Sequence, residues 1–232
     1  MDTAFLINRL IFAAIEIFVF MLSIMIYKNT KGASLAYKKW AESMFVLLVA
    51  ASIYITGIIA FGCSESGTTD KNELYVLIAG TLDVLAYFYI PVGVMYLSKD
   101  MGFGSVNEEL IKKIQILFYC IIFSLSIIFI AILPFFKIRR LMGAIFNLLF
   151  TIVWISAIYY YNNVYKYLKT TNNCWLFLYL ALIFSFASST SAVIYFATYV
   201  ELFSLLTTLF GVGMALGYIT GFFKLAKMVE AI

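Results

Sequence analysis

The chain consists almost entirely of apolar blocks that are each long enough to cross a lipid bilayer. A helix rises about 1.5 Å per residue and the hydrocarbon core is about 30 Å thick, so one crossing needs roughly 20 apolar residues. Seven blocks reach this length and predict helices over residues 6–27, 41–62, 74–97, 114–133, 141–162, 174–199 and 201–223. Hydrophobic residues make up 64% of the chain and charged residues 12%, which is typical of membrane proteins. The sequence therefore predicts an all-α, polytopic bundle of seven transmembrane helices.

Little of the chain lies outside these blocks. The longest connection runs from about residue 98 to residue 113, so no soluble catalytic or signalling domain fits. The first block is too long for a signal peptide, and we expect it to stay in the mature protein. Histidine, the commonest metal ligand and general base, does not occur. We therefore expect no enzymatic reaction, no cofactor and no metal site, and the net charge of +4 indicates contact with lipid headgroups rather than nucleic acid.

Basic residues are distributed unevenly between the two sets of connections. One set carries eleven: Lys28, Lys31, Lys38, Lys39, Lys99, Lys112, Lys113, Lys166, Lys169, Lys224 and Lys227. The other carries five: Arg9, Lys71, Lys137, Arg139 and Arg140. Basic loops are retained in the cytoplasm. The distribution predicts a multi-pass protein of the cell membrane with its amino terminus outside and its carboxyl terminus inside.

Three sequence matches at a nearly constant offset predict an internal duplication. Residues 7–10 match 138–141 at an offset of 131, Tyr37-Lys38 matches Tyr165-Lys166 at 128, and Glu73-Leu74 matches Glu201-Leu202 at 128. Repeats that begin in the same orientation are parallel, with an axis along the membrane normal. We predict one transmembrane domain, 1–232. It divides into a three-helix repeat (1–99), a linker loop with helix 4 (100–133) and a second three-helix repeat (134–232).

This topology resembles the transporter and opsin superfamily, which includes microbial rhodopsins, SWEET sugar transporters and PnuC-type vitamin transporters. The segment that carries Asp83 and Pro91 is similar to the acidic, proline-bearing third helix of rhodopsins. The resemblance implies a seven-helix transporter or sensor. It does not extend to a Schiff base with retinal, because no lysine lies between Glu201 and Phe223 in the last block.

Polar side chains within the apolar blocks are the candidate pathway residues. Glu16 lies in the outer part of the first block and Asp83 in the third, and Asn147 is the repeat equivalent of Glu16. A charged side chain within a membrane costs about 2.5–3.5 kcal/mol and usually faces a partner or a watery cavity. Glu16 and Asp83 would then offer oxygens to a cation or proton, and Asn147 would complete the shell. The alternative is that each carboxyl group is protonated or paired with an arginine and only orients its helix.

Asp83, Tyr87 and Pro91 are four residues apart and share one face of the third helix. Proline removes one backbone hydrogen bond and kinks a helix, often beside a cavity. This stripe is the best candidate for a solute-lining surface. The alternative is a structural kink, with Tyr87 hydrogen-bonded inside the bundle.

The last three helices contain small and polar residues that are explained either by helix packing or by a role in a pathway. The second-choice pathway residues are Ser188, Ser189, Thr207 and Thr208. Gly211, Gly213, Gly217 and Gly221 have the small-residue spacing that favours close helix packing over ligand approach. Tyr159, Tyr160, Tyr161, Tyr165 and Tyr167 predict an aromatic belt at the membrane interface.

These features predict a transporter or channel for a cation, proton or small solute, built around Glu16, Asp83, Tyr87 and Asn147. Two similar half-bundles around a central site would rock to give alternating access. The alternatives are a non-photochemical sensor or receptor module that signals through a separate partner, or a structural subunit of a membrane complex. The expected partners are the lipid bilayer and either a second copy of the chain or another membrane subunit. The sequence does not identify the substrate.

Overall fold

The computed structural model describes residues 3–30, 34–61, 70–102, 106–132 and 139–230. Within these ranges the chain forms seven α-helices, as predicted. They are α1 (Thr3–Asn29), α2 (Leu35–Phe61), α3 (Asp70–Asp100), α4 (Glu108–Ile132), α5 (Arg139–Leu168), α6 (Cys174–Thr198) and α7 (Glu201–Glu230).

Several helices extend beyond the apolar blocks that predicted them. For example, α4 begins at Glu108, six residues before the predicted start at 114. The Asn107 side-chain oxygen accepts a hydrogen bond from the Leu110 amide (2.7 Å) and caps this end. Lys112 pairs with Glu108 one turn away (3.0 Å), which is a favourable spacing on a helix. The helix therefore begins with a charged turn that lies before the apolar block, and block length alone did not predict this turn.

Six helices contain segments long and apolar enough to cross a membrane. These segments are Leu35–Gly57, Leu74–Asp100, Glu108–Ile132, Leu141–Leu168, Cys174–Thr198 and Glu201–Val229. The backbone of α1 is helical over 27 residues. That α1 also crosses the membrane is a prediction from the apolar sequence of its block. The chain thus has the helices of a polytopic membrane protein.

Six of the helices form a closed ring, and α4 lies outside it. Around the ring, α1 packs against α2, α2 against α3, α3 against α5, α5 against α6, α6 against α7, and α7 against α1. The main partner of α4 is α3, and Phe129 of α4 also contacts Phe146 of α5, with ring centroids 5.6 Å apart. Most apolar side chains of α4 face outward, as Phe123 does with 71% of its surface exposed. The interior is therefore built by α1–α3 and α5–α7.

Side chains of α2 brace α3 next to Pro91, and α3 stays helical through that residue. The Ser43 hydroxyl donates to the Ala86 carbonyl oxygen (2.7 Å) and the Trp40 indole N–H to the Ile90 carbonyl oxygen (3.3 Å). The carbonyl group that Pro91 leaves without its helical donor is that of Tyr87, and the two bonded carbonyl groups lie on either side of it along α3. The two bonds fix α3 against α2 at the level of Pro91.

The glycines of α7 allow close contact with α6, as their spacing predicted. A Cβ atom added at Gly217 would lie 2.9 Å from the Cβ of Ala181, and one at Gly221 would lie 2.7 Å from the Leu178 side chain. Gly213 likewise faces α6, with ring atoms of Phe184 3.1 Å from an added Cβ. The packing interpretation is confirmed for these three glycines.

Two predictions from sequence are wrong in detail. Tyr37 lies in the first turn of α2 whereas Tyr165 lies near the end of α5, so this match does not relate equivalent helices. Tyr161 is 1% exposed and belongs to the core instead of a surface belt, because its ring stacks on Tyr179 with centroids 5.8 Å apart. Tyr159, in contrast, is exposed, as the belt requires.

Candidate functional site

A cavity of about 50 Å³ lies inside the ring between α1, α2, α3 and α7. Glu16 and Tyr87, both predicted pathway residues, line it together with Tyr218 of α7. The other lining residues are Ile15, Val19, Met44, Leu47, Met214 and Ala215. One water molecule needs roughly 10–15 Å³ of such space, so this cavity, called the Glu16 cavity below, has room for a few.

A narrower cavity of about 10 Å³ adjoins the Glu16 cavity and is called the central cavity below. Its lining residues are Trp40, Met44, Ile90, Val94, Tyr161, Leu178, Leu182, Tyr218 and Phe222. Met44 and Tyr218 line both cavities, which makes the two spaces neighbours. The central cavity has an apolar lining and only about the volume of one water molecule, without the polar partners that a buried water needs.

Helical periodicity explains why Glu16 reaches the interior. It lies at the midpoint of α1, with thirteen helical residues on each side, and so further along the helix than the outer position expected from sequence. Val19 and Ser23, three and seven residues later, are buried on the same face. The Ser23 hydroxyl donates to the Val19 carbonyl oxygen (2.8 Å), so it is satisfied within α1. Glu16 is therefore the ionisable group on the inward face of α1 that lines this cavity.

Tyr87 is held in the Glu16 cavity by aromatic contacts with α5. Its ring makes edge-to-face contacts with Phe150 (centroids 5.1 Å apart) and Trp154 (5.3 Å). Such pairs add about 0.5–1.5 kcal/mol beyond the burial of their area. They fix the ring of Tyr87 across the interface between α3 and α5.

The structure separates the predicted stripe of α3 into different surroundings. Tyr87 lines the Glu16 cavity, whereas Pro91 lines a third cavity of about 210 Å³ between α3, α4 and α5. Asp83 is partly buried one turn from Tyr87 and is not among the residues that line the three described cavities. Each four-residue step along a helix rotates the side chain by about 40°, so the stripe drifts around α3.

Asn147 is hydrogen-bonded within α5 and is not among the residues that line the Glu16 cavity. Its amide N–H donates to the Gly143 carbonyl oxygen of its own helix (2.7 Å). The Thr151 hydroxyl lies 2.9 Å from the Asn147 carbonyl oxygen and 3.1 Å from the Ser189 hydroxyl. The predicted shell of Glu16, Asp83 and Asn147 is therefore not brought together in one cavity.

The second-choice pathway residues are engaged in helix contacts. The Ser188 hydroxyl donates to the Thr207 carbonyl oxygen (3.0 Å) and joins α6 to α7. Thr207 and Thr208 donate to carbonyl oxygens of their own helix at 2.8 and 3.2 Å. These bonds match the packing alternative, in which hydroxyl groups satisfy helical carbonyl groups.

Sequence reasoning missed Tyr218, which lines both the Glu16 cavity and the central cavity. It also missed an ion pair between Lys39 and Glu42 (2.7 Å) on α2, which lies apart from both cavities. Lys39 lies 5.1 Å from the ring centroid of Tyr89, a cation–π contact. The sequence signal that points to Tyr218 is its position next to Gly217, one of the glycines at which α7 packs closely on α6.

The Glu16 cavity does not offer a preformed metal cage. Among the described residues, no three Cys, Asp or Glu side chains come together as metal ligands. A calcium site typically needs six to eight oxygen ligands. Glu16 and the two tyrosines that line the cavity supply fewer oxygen ligands than such a site needs.

Comparison with protein-family models, with curated proteins and with solved structures gives no match for this chain.

Proposed function

We propose that this protein is a membrane transporter or channel for protons or a small cation, which pass between two three-helix halves by way of the Glu16 cavity. The observation that carries the proposal is that Glu16 and Tyr87 line one interior cavity, directly beside the central cavity that α2, α3, α5, α6 and α7 share. An ionisable residue inside a membrane bundle is by default a functional candidate.

The lining of the central cavity supports a duplication. An offset of 138 between α2 and α6 and of 128 between α3 and α7 pairs eight of its nine lining residues. The pairs are Trp40 with Leu178, Met44 with Leu182, Ile90 with Tyr218, and Val94 with Phe222. Equivalent residues that meet at one point are expected on the axis between two repeats.

Helix packing supports the same two-fold relation. The contact of α1 with α2 corresponds to α5 with α6, that of α2 with α3 to α6 with α7, and that of α3 with α5 to α7 with α1. Gly93 and Gly221, again 128 residues apart, each make room for a large side chain of the preceding helix, Trp40 or Leu178. We propose α1–α3 and α5–α7 as the two halves and α4 as the linker, with the amino terminus outside.

Cavity size favours a proton or small cation over an organic solute. Pockets for drug-sized ligands measure about 300–1,000 Å³. The Glu16 cavity has about 50 Å³ and the central cavity about 10 Å³. The narrow apolar central cavity would act as the closed gate, because hydrophobic constrictions stop ions by excluding water. Rocking of the two halves would widen it.

Flux measurements on Glu16→Gln test this function. We expect the wild-type protein in vesicles to carry proton or alkali-cation flux, read by pH- and ion-sensitive dyes. Glu16→Gln keeps the shape but removes the charge, and we expect at least about a tenfold loss, since each 1.36 kcal/mol added to a barrier slows passage tenfold.

Glu42→Gln is the matched control, because Glu42 is a carboxylate of α2 that pairs with Lys39 outside both cavities. It is expected to keep wild-type flux. Wild-type flux that survives Glu16→Gln unchanged would contradict the proposed pathway. No flux in the wild type would instead favour the sensor module or the structural subunit.

A further inference from the structure

Tyr218 occupies the junction between the two interior cavities. It lines both of them and is 8% exposed. Its position is fixed by the preceding residue, because Gly217 lies directly on Ala181 of α6. The Tyr218 ring also contacts Phe222 one turn later, with centroids 6.2 Å apart. The side chain is therefore held at this junction by rigid helix packing.

The Tyr218 hydroxyl differs from the polar groups of Trp40 and Tyr161, two other residues that line the central cavity. The Trp40 N–H donates to the Ile90 carbonyl oxygen and the Tyr161 hydroxyl to the Trp175 carbonyl oxygen. Within the described part of the chain, no group completes a hydrogen bond of good geometry with the buried Tyr218 hydroxyl.

Ser185 lies close enough to Tyr218 to interact with it. Its one hydroxyl hydrogen, however, is donated to the Ala181 carbonyl oxygen (2.7 Å), so Ser185 offers no donor to the Tyr218 hydroxyl oxygen. Buried hydroxyl groups that lack a protein partner are normally satisfied by ordered water. The Glu16 cavity, which Tyr218 also lines, has the volume that a few water molecules need.

We infer that the Tyr218 hydroxyl binds an ordered water molecule that joins the Glu16 cavity to the central cavity. A buried water needs two to four polar partners. The Tyr218 hydroxyl supplies one, and Glu16 and Tyr87, which both carry polar side-chain groups, line the same cavity as Tyr218. A carboxylate has about four acceptor positions, so Glu16 accepts from water besides its protein contacts.

The role of this water in transport rests on the proposed function, whereas the water site itself does not. In a conducting molecule, this water would lie between the carboxylate of Glu16 and the central cavity, and it would provide a polar group for the passing proton or cation. A proton or small cation would move from one oxygen to the next without meeting a dry gap. Tyr218 would then be a pathway residue whose hydroxyl controls the rate of passage.

The test combines a structure with a flux assay. Density for the purified protein in lipid nanodiscs, at a resolution that shows ordered water, is expected to contain a water molecule about 2.6–3.2 Å from the Tyr218 hydroxyl oxygen. The variant Tyr218→Phe removes only that oxygen and is expected to lose this water. In vesicles it is expected to carry proton or cation flux about tenfold more slowly than the wild type.

Tyr119→Phe is the matched control. The Tyr119 hydroxyl donates to the Tyr89 hydroxyl (3.1 Å), outside both cavities, so its loss is expected to leave the water and the flux unchanged. A wild-type map with a dry junction would overturn the inference. So would a conducting wild type whose flux Tyr218→Phe does not slow. A bound water in a protein without flux would support the site while contradicting the proposed function.

Discussion

At the scale of single residues, hydroxyl groups that all lie within apolar blocks differ in what they contact. Ser52 donates to the Leu48 carbonyl oxygen of its own helix, whereas Ser43 donates to Ala86 on the neighbouring helix. Tyr218 faces a cavity instead. All three stand in apolar blocks, and only the direction of each side chain separates them. The sequence therefore identified Glu16 and Tyr87 as polar groups inside apolar helices but missed Tyr218.

Ser43→Ala tests the bond between α2 and α3. Removing this hydroxyl leaves the Ala86 carbonyl group without its partner from α2, and we expect a loss of about 1 kcal/mol in the free energy of unfolding. Ser52→Ala, which removes an exposed hydroxyl bonded within its own helix, is expected to cost less than about 0.5 kcal/mol. Unfolding in mixed detergent micelles measures both values. Equal costs would show that the Ser43 bond does not stabilise the helix pair.

At the scale of helices, the sequence predicted the existence of each element better than its ends or its inward face. Block length indicated the seven helices because hydrocarbon thickness sets the number of apolar residues. Inward faces were not predictable from apolar patterning, because lipid-facing side chains are as apolar as core ones. Ile152 and Val153 illustrate this: they are similar neighbours in α5, yet they are 53% and 3% exposed.

Gly93→Ala and Gly221→Ala test the contact of α3 with α2 and that of α7 with α6. Alanine has the better helix propensity, so a substitution with free space around it would stabilise the helix. An added Cβ would, however, lie 2.5 Å from the Trp40 indole nitrogen or 2.7 Å from Leu178. We expect each variant to lose about 1–3 kcal/mol in the free energy of unfolding.

A double-mutant cycle separates this steric cost from other effects. In a Trp40→Ala background the obstructing indole is gone, so Gly93→Ala is expected to cost markedly less than in the wild type. An unchanged cost of Gly93→Ala in that background would show that the close contact with Trp40 is not its cause. Stabilisation by either glycine substitution in the wild type would contradict the packing of that helix pair.

At the scale of the whole molecule, sequence offsets favour two similar halves, but one of the matches joins α2 to α5, which the proposed halves do not pair. The connections differ in length: residues 62–69 separate α2 from α3, whereas Tyr199 and Val200 alone separate α6 from α7. Loops tolerate such differences at little thermodynamic cost. A single fixed offset therefore paired Tyr37 with Tyr165 across helices that do not correspond. The 138-residue offset between α2 and α6 is visible only in the structure, where Met44 and Leu182 line one cavity.

The central claim is that cations or protons pass between two halves that meet at the central cavity. Flux through Met44→Cys/Leu182→Cys tests it most directly, in a background with the three native cysteines replaced, because these residues of α2 and α6 line the cavity from the two proposed halves. Oxidation that bridges the two thiols is expected to abolish flux, a reductant is expected to restore it, and each single-cysteine variant is expected to be unaffected. A bridged protein that conducts as before would contradict the claim.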